Sequence, residues 1–216
     1  MKKKQLYRYL VITSLGAGLA LAAMLAVSLF NAGVTAQDFE LFAPPEEYAQ
    51  AITQAEAPLR AILTIDNIFL TLYAAAFVFL ATAVWRKRNR LLVAIGLGAV
   101  LITTYLDLHE NHELLTFLEM AIAGLPIDEA ALHQRMVWSQ LKFHSSYFAF
   151  FLLAFVLPKD TFLEKLLRWS LWLGYLPIGI LVYTYPSSIF SLLRYLFMLS
   201  GFFILAWNYY QRWQKE

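Results

Sequence analysis

The chain has 216 residues, 60% of them hydrophobic and 15% charged, with a mean hydropathy of +0.57. That apolar share exceeds the roughly 45–50% of soluble domains and points to a polytopic membrane protein. A formal net charge of +2 argues against a nucleic-acid partner, and the lack of cysteine excludes disulfides and thiolate metal sites.

The first apolar stretch, about 9–30, follows Lys2, Lys3, Lys4 and Arg8. A run of ~20 apolar residues exceeds the 7–15 of a signal-peptide core, so an uncleaved first helix is expected. The small residues of Gly33-Val34-Thr35-Ala36 offer the competing reading, a cleavage site. Residues 31–57 form the longest loop. Pro44-Pro45-Glu46-Glu47 reads as a helix start, because Pro is tolerated in the first turn and acids suit the positive end of the dipole. The loop is expected to carry a short surface helix over the bundle mouth, or else to be a solvated connector.

Five more stretches are long enough to span, at about 58–85, 91–117, 134–157, 166–184 and 187–209. Arg86-Lys87-Arg88-Asn89-Arg90 separates the second from the third, and Pro158-Lys159-Asp160 ends the fourth. Asp128 and Asp160 are candidate N-caps for the helices that follow them, and Pro177 is placed to kink the fifth span. The expected fold is all-α, a single six-transmembrane-helix bundle over 1–216. With six spans, Lys2, Lys3, Lys4, Arg8, Arg86, Lys87, Arg88, Arg90, Lys159, Lys165, Arg168, Arg212 and Lys215 fall on one side. Asp38, Glu40, Glu46, Glu47, Glu56, Asp128 and Glu129 fall on the other. Both termini are therefore expected to be cytoplasmic, and a bacterial plasma (inner) membrane is the simplest location. Trp85, Trp169, Trp207, Tyr209, Tyr210 and Trp213 suit the cytoplasmic interface belt.

The most informative segment is 103–113, which ends the third stretch. It holds Asp107, His109, Glu110, Asn111, His112 and Glu113 in an otherwise apolar span. Intramembrane ionisable groups are costly and mark functional sites. At about 1.5 Å per residue, Asp66, Asp107, Lys142 and Arg194 from four different spans all lie roughly 10–15 Å inside the outer ends of their helices. At 3.6 residues per turn, Asp107, Glu110 and Asn111 share a face with Thr103. Arg135, Ser139, Lys142 and Ser146 share a face of the fourth span, and Asp66 lies beside Asn67 on the second. The expected ligand- or ion-binding cluster is Asp66, Asp107, Glu110, Asn111 and Lys142, with Arg194 either joining it or snorkelling outward. Three carboxylates against one or two cations leave a protonated acid or a site for a cation.

His109, His112 and Glu113 fall mostly on the opposite side of the third span, and His144 is opposite Lys142. Their bland reading is hydrogen bonding at the interface, where His133 and Arg135 are also expected. Their sharper reading is one divalent metal, such as zinc, held by His109, His112 and His144 with water as the fourth ligand. With Asp107 and Ser145 or Ser146 nearby, this set resembles the alkaline-ceramidase and progestin-receptor-like superfamily of membrane hydrolases. The resemblance implies a three-histidine zinc site inside a helical bundle and hydrolysis of a lipid. The chain departs from it in having six expected spans rather than seven. Its last two spans also contain no histidine where that family places a His-x-x-x-His pair.

Three functions follow as expectations. The first is an outward-facing charged pocket that takes a cation, a proton or a small polar ligand, for transport or sensing. The second is a metal-dependent hydrolase of a lipid or amphiphile entering from the surrounding membrane lipids. The third is a non-catalytic subunit or assembly factor whose ion pairs fix helix register.

Overall fold

A computed structural model describes residues 2–41, 43–185 and 187–216, and among them there is no strand. Its helices are α1 (Lys3–Phe30), α2 (Pro45–Gln54), α3 (Glu56–Val84), α4 (Arg90–Ile122), α5 (Glu129–Ala154), α6 (Phe162–Trp169), α7 (Leu176–Thr184) and α8 (Ser188–Gln214). A π-helical stretch, Ser170–Tyr175, joins α6 to α7 without a break. Pro177 sits in the first turn of α7, where it has no N–H to give the preceding turn. The wider π turn lies directly upstream of that gap, as helix irregularities near proline commonly do.

The long helices close into a ring. α1 packs on α3, α3 on α4, and α4 on α5. α5 then meets the π stretch and α7, these meet α8, and α8 returns to α1. α1, α3, α4, Phe162–Thr184 and α8 are long and apolar enough to cross a membrane. α5 is 26 residues long and stands in the same ring, but is more polar, because one face carries the buried Arg135, Ser139, Lys142 and Ser146. It also starts earlier than the sequence suggested, at Glu129, and that extra turn reaches the loop above. The exterior is apolar, with Leu19, Ile68, Ile102, Leu173 and Leu196 all exposed. This is the make-up of a helical membrane protein.

Local chemistry sets the ends. α2 begins with Pro45 at its first position and Glu46 and Glu47 in its first turn. Asp128 caps α5, its carboxylate accepting from the Ala130 N–H at 3.2 Å. Asp160 is not a cap: Thr161 takes that place before α6, in a reciprocal box with Glu164. Asp160 instead pairs with Arg212 on α8 at 2.7 Å. α4 stops at Gly124, whose φ of 67° suits a residue without Cβ. There the Leu125 N–H reaches back to the Met120 carbonyl at 2.9 Å. Tyr209 is not in an interfacial belt, since it is buried at 2% exposure against Tyr7.

Two apolar cores result. The larger fills the ring and centres on Tyr73, Phe77, Phe150, Tyr175 and Phe202, with Phe77 and Phe150 stacked at 5.2 Å. The smaller lies under the loop between α1 and α3, hereafter the strap. It joins Phe39, Tyr48 and Ile52 of the strap to Leu59 and Leu63 of α3, Leu114 and Leu118 of α4, and Leu132 of α5. On every helix that serves both cores, the charged positions fall between them: Asp66 on α3, Asp107 and Glu110 on α4, Arg135 and Lys142 on α5.

α7 approaches α5 so closely at Gly179 that an added Cβ would overlap the Tyr147 ring, itself only 2% exposed. Gly179→Ala is therefore predicted to lower stability by about 1–3 kcal/mol through overpacking. Thermal unfolding in detergent, beside Gly98→Ala where an added Cβ meets open space, checks this.

Candidate functional site

The 3.6-residue period of α5 turns Arg135, Ser139, Lys142 and Ser146 inward, and each is 4% exposed or less. Lys142 stands at the centre. Its Nζ lies 3.0 Å from Asp107 Oδ1 and 3.3 Å from Glu40 Oε1, and it also pairs with Glu110. Three carboxylates from two elements thus share one ammonium. Ser139, three residues earlier, donates its hydroxyl to the other Glu40 oxygen at 2.8 Å.

One turn further toward the strap, Arg135 is 1% exposed and does four things. Its Nη2 meets Glu110 Oε1 at 3.4 Å, and its Nε lies 3.9 Å from Glu113 Oε2. Its Nη1 donates to the Phe39 carbonyl and, at 3.2 Å, to the Tyr48 hydroxyl. Arg135 therefore ties the bundle to the strap at both the 3₁₀ turn Ala36–Phe39 and α2. Beyond the ion pairs, the Asn111 amide donates to Asp66 Oδ2 at 2.6 Å and to Asn67 Oδ1 at 3.1 Å. The Arg194 guanidinium lies 3.7 Å from the Phe143 ring centroid, with Nη1 3.5 Å from the Tyr147 hydroxyl. Arg194 does not snorkel outward: it is 7% exposed.

The structure thus brings Asp107, Glu110 and Lys142 into one ion-pair network, and sets Asp66 and Asn111 beside it as a hydrogen-bonded pair coupled to it only through space. It adds Glu40 and Arg135, which the sequence had placed in an outer loop and at the interface. Arg135 is buried because the strap covers it. Glu113 likewise turns toward Arg135 rather than joining the histidines. Glu40 lies outside the spanning helices. Burial pushes its carboxyl up, but Lys142, then Arg194 and Arg135, with the Ser139 hydrogen bond, outweigh burial and hold it below its ordinary 4.5.

The histidines do not converge. His109 faces Trp138 with centroids 6.3 Å apart. His144 Nδ1 lies 2.8 Å from the Gln140 carbonyl oxygen, and its ring packs on Tyr147 and Tyr183. His109, His112 and His144 are all exposed. Among the described residues, no three of the His, Asp and Glu side chains are placed to hold a metal ion. His109, His112 and His144 therefore do not fit a shared zinc. No protein-family model, curated protein or solved structure matches the chain.

Two outcomes follow. Lys142→Ala leaves three carboxylates without their shared cation and is expected to cost about 3–5 kcal/mol, part of it recovered in Lys142→Ala/Glu110→Gln. Denaturant or thermal unfolding of the four proteins of that cycle measures the coupling. For pH, a depressed Glu40 stabilises the strap above its unfolded value of 4.5 and loses that contribution as pH falls through its lower folded value. In Glu110→Gln protein, which leaves Glu40 as the titrating acid, amide protection factors across 36–41 and 43–54, corrected for the intrinsic pH dependence of exchange, are therefore expected to hold from neutral pH and to fall only below 4.5. A fall already between neutrality and 4.5 in that protein would contradict the assignment.

Proposed function

We propose that this chain is an integral membrane protein of six spans, α5 included, with both termini on the cytoplasmic side of a bacterial inner membrane. Its charged cluster binds and releases a proton from the outer side, for transport or sensing. Support for the sixth span is that α5 turns its polar face inward and leaves Val137, Leu141, Phe148 and Phe151 exposed. Support for the orientation is the bias of Lys and Arg toward the side of the termini.

The observation that carries the proton-binding reading is a charge imbalance. Lys142 serves Glu40, Asp107 and Glu110 at once. Arg135 serves Glu110 and, at longer range, Glu113. Asp66 has an amide partner in Asn111, but no cation within ion-pair distance among the described residues. Even with Arg194 counted, the five buried or half-buried acids Glu40, Asp66, Asp107, Glu110 and Glu113 outnumber the three cations, and such an excess favours uptake of a proton. Glu110 is the natural relay. One of its oxygens meets Arg135 and the other meets Lys142, and it is 2% exposed. A proton on Glu110 weakens both pairs, and Arg135 carries that change to the strap.

Infrared difference spectroscopy of the protein in lipid nanodiscs, between two pH values, tests this. A protonated-carboxyl band that shifts in D2O should titrate in the wild type. It should be diminished in Asp66→Asn or Glu110→Gln, and unchanged in the control Glu129→Gln at the exposed start of α5. Identical difference spectra in all four proteins, each confirmed folded, would contradict the proposal.

A further inference from the structure

Glu40 reaches the cluster by a different route from every other acid there. Asp66 belongs to α3, and Asp107 and Glu110 belong to α4. Glu40 comes from the strap, directly after the 3₁₀ turn. Its side chain is nonetheless only 9% exposed. A loop acid reaches such burial only where the site compensates the loss of water.

The site does so in a specific geometry. Ser139 and Lys142, one turn apart on α5, each take one oxygen of the Glu40 carboxylate, at 2.8 Å and 3.3 Å. The cradle thus matches the two oxygens of a carboxylate. Arg135 and Arg194 add attraction from further away. Arg194 is the independent observation. It is a buried guanidinium whose contacts are a tyrosine hydroxyl and a phenyl face, with no carboxylate within ion-pair distance among the described residues. Its attraction to the Glu40 carboxylate acts only through space, so among the described residues most of the guanidinium's five N–H donors meet no carboxylate.

We propose that Ser139, Lys142, Arg194 and Arg135 form an anion site for a small carboxylate ligand, and that Glu40 is its tethered occupant. The ligand takes the place of the Glu40 carboxylate and the strap lifts. The exchange is one carboxylate for another, so the charge around Lys142 is conserved. What changes is the strap, which loses its hold at Glu40 and is left with only the Arg135 contacts on Phe39 and Tyr48, so that it opens more often. A tethered group competes at high local concentration, so a free carboxylate must make contacts Glu40 does not, and Arg194 offers one. The inference goes beyond proton exchange and does not depend on it.

The chain has no cysteine, so one introduced thiol reports cleanly. Ile52 of α2 is 0% exposed beneath the strap. In Ile52→Cys protein in nanodiscs, maleimide labelling measures strap opening. Propionate is expected to speed labelling severalfold, while propionamide and sodium chloride at matched ionic strength do not. Glu40→Gln in the same background is expected to label fast in plain buffer. Glu40→Ala should lose thermal stability and regain it with propionate but not with propionamide. Labelling that ignores propionate, or responds equally to propionamide, would overturn the ligand site, as would a Glu40→Ala protein that propionate does not stabilise. Should Ile52→Cys fail to fold, Ala55→Cys, at a smaller residue only 5% exposed, serves as the reporter.

Discussion

An ammonium held at 4% exposure between two apolar cores is the constraint on which the rest of this structure depends. Lys142 cannot reach water, so carboxylates must reach it. Asp107 and Glu110 do so from α4, which fixes the register of α4 against α5. Glu40 does so from the strap, which fixes the strap over the bundle. Removing the ammonium leaves Asp107 with no ion-pair partner among the described residues and takes one of two partners each from Glu40 and Glu110. The polar layer therefore specifies the arrangement as much as the aromatic centre below it does.

The strap has its own apolar footing in Tyr48, Ile52 and Leu59, all at 3% exposure or less. Its position is nevertheless tied to charge at two points, Glu40 and the Arg135 contacts on Phe39 and Tyr48. Both anchors end on α5, and both lead within one residue to Glu110. Glu110 is thereby connected to a surface segment through two side chains, Lys142 and Arg135. Loops move more readily than spanning helices, so the strap is the element on which a change of charge at Glu110 would register.

Much of this was legible in the sequence, and the limits have physical causes. Spans and polar faces follow from hydropathy and the 3.6-residue period, which is why Asp107, Glu110, Asn111 and Lys142 could be grouped, and Asp66 added by depth. Periodicity assigns a residue to a face but does not say which element lies opposite. Arg135 was on the same face as Lys142, yet its burial depends on a strap whose path no local pattern encodes. Glu40 carried a faint signal, an acid between Phe39 and Leu41. The histidines show the reverse error. Their i, i+3 spacing suggested ligands, but the orientation of α5 turns His144 toward Tyr183 rather than toward α4. The sequence placed a fourth span at about 134–157, and α5 is nevertheless more polar than the other long helices because one of its faces carries the site.

The central claim is that Lys142 is a charged, immobilised ammonium shared by three carboxylates. Nitrogen-15 NMR of lysine-labelled protein in nanodiscs addresses it directly, with the Lys142 Nζ signal assigned by its loss in Lys142→Arg. The account predicts an ammonium signal at neutral pH, with slow solvent exchange, that moves in both Glu40→Gln and Glu110→Gln. A neutral amine, or an ammonium exchanging as fast as that of a surface lysine and indifferent to both substitutions, would contradict it.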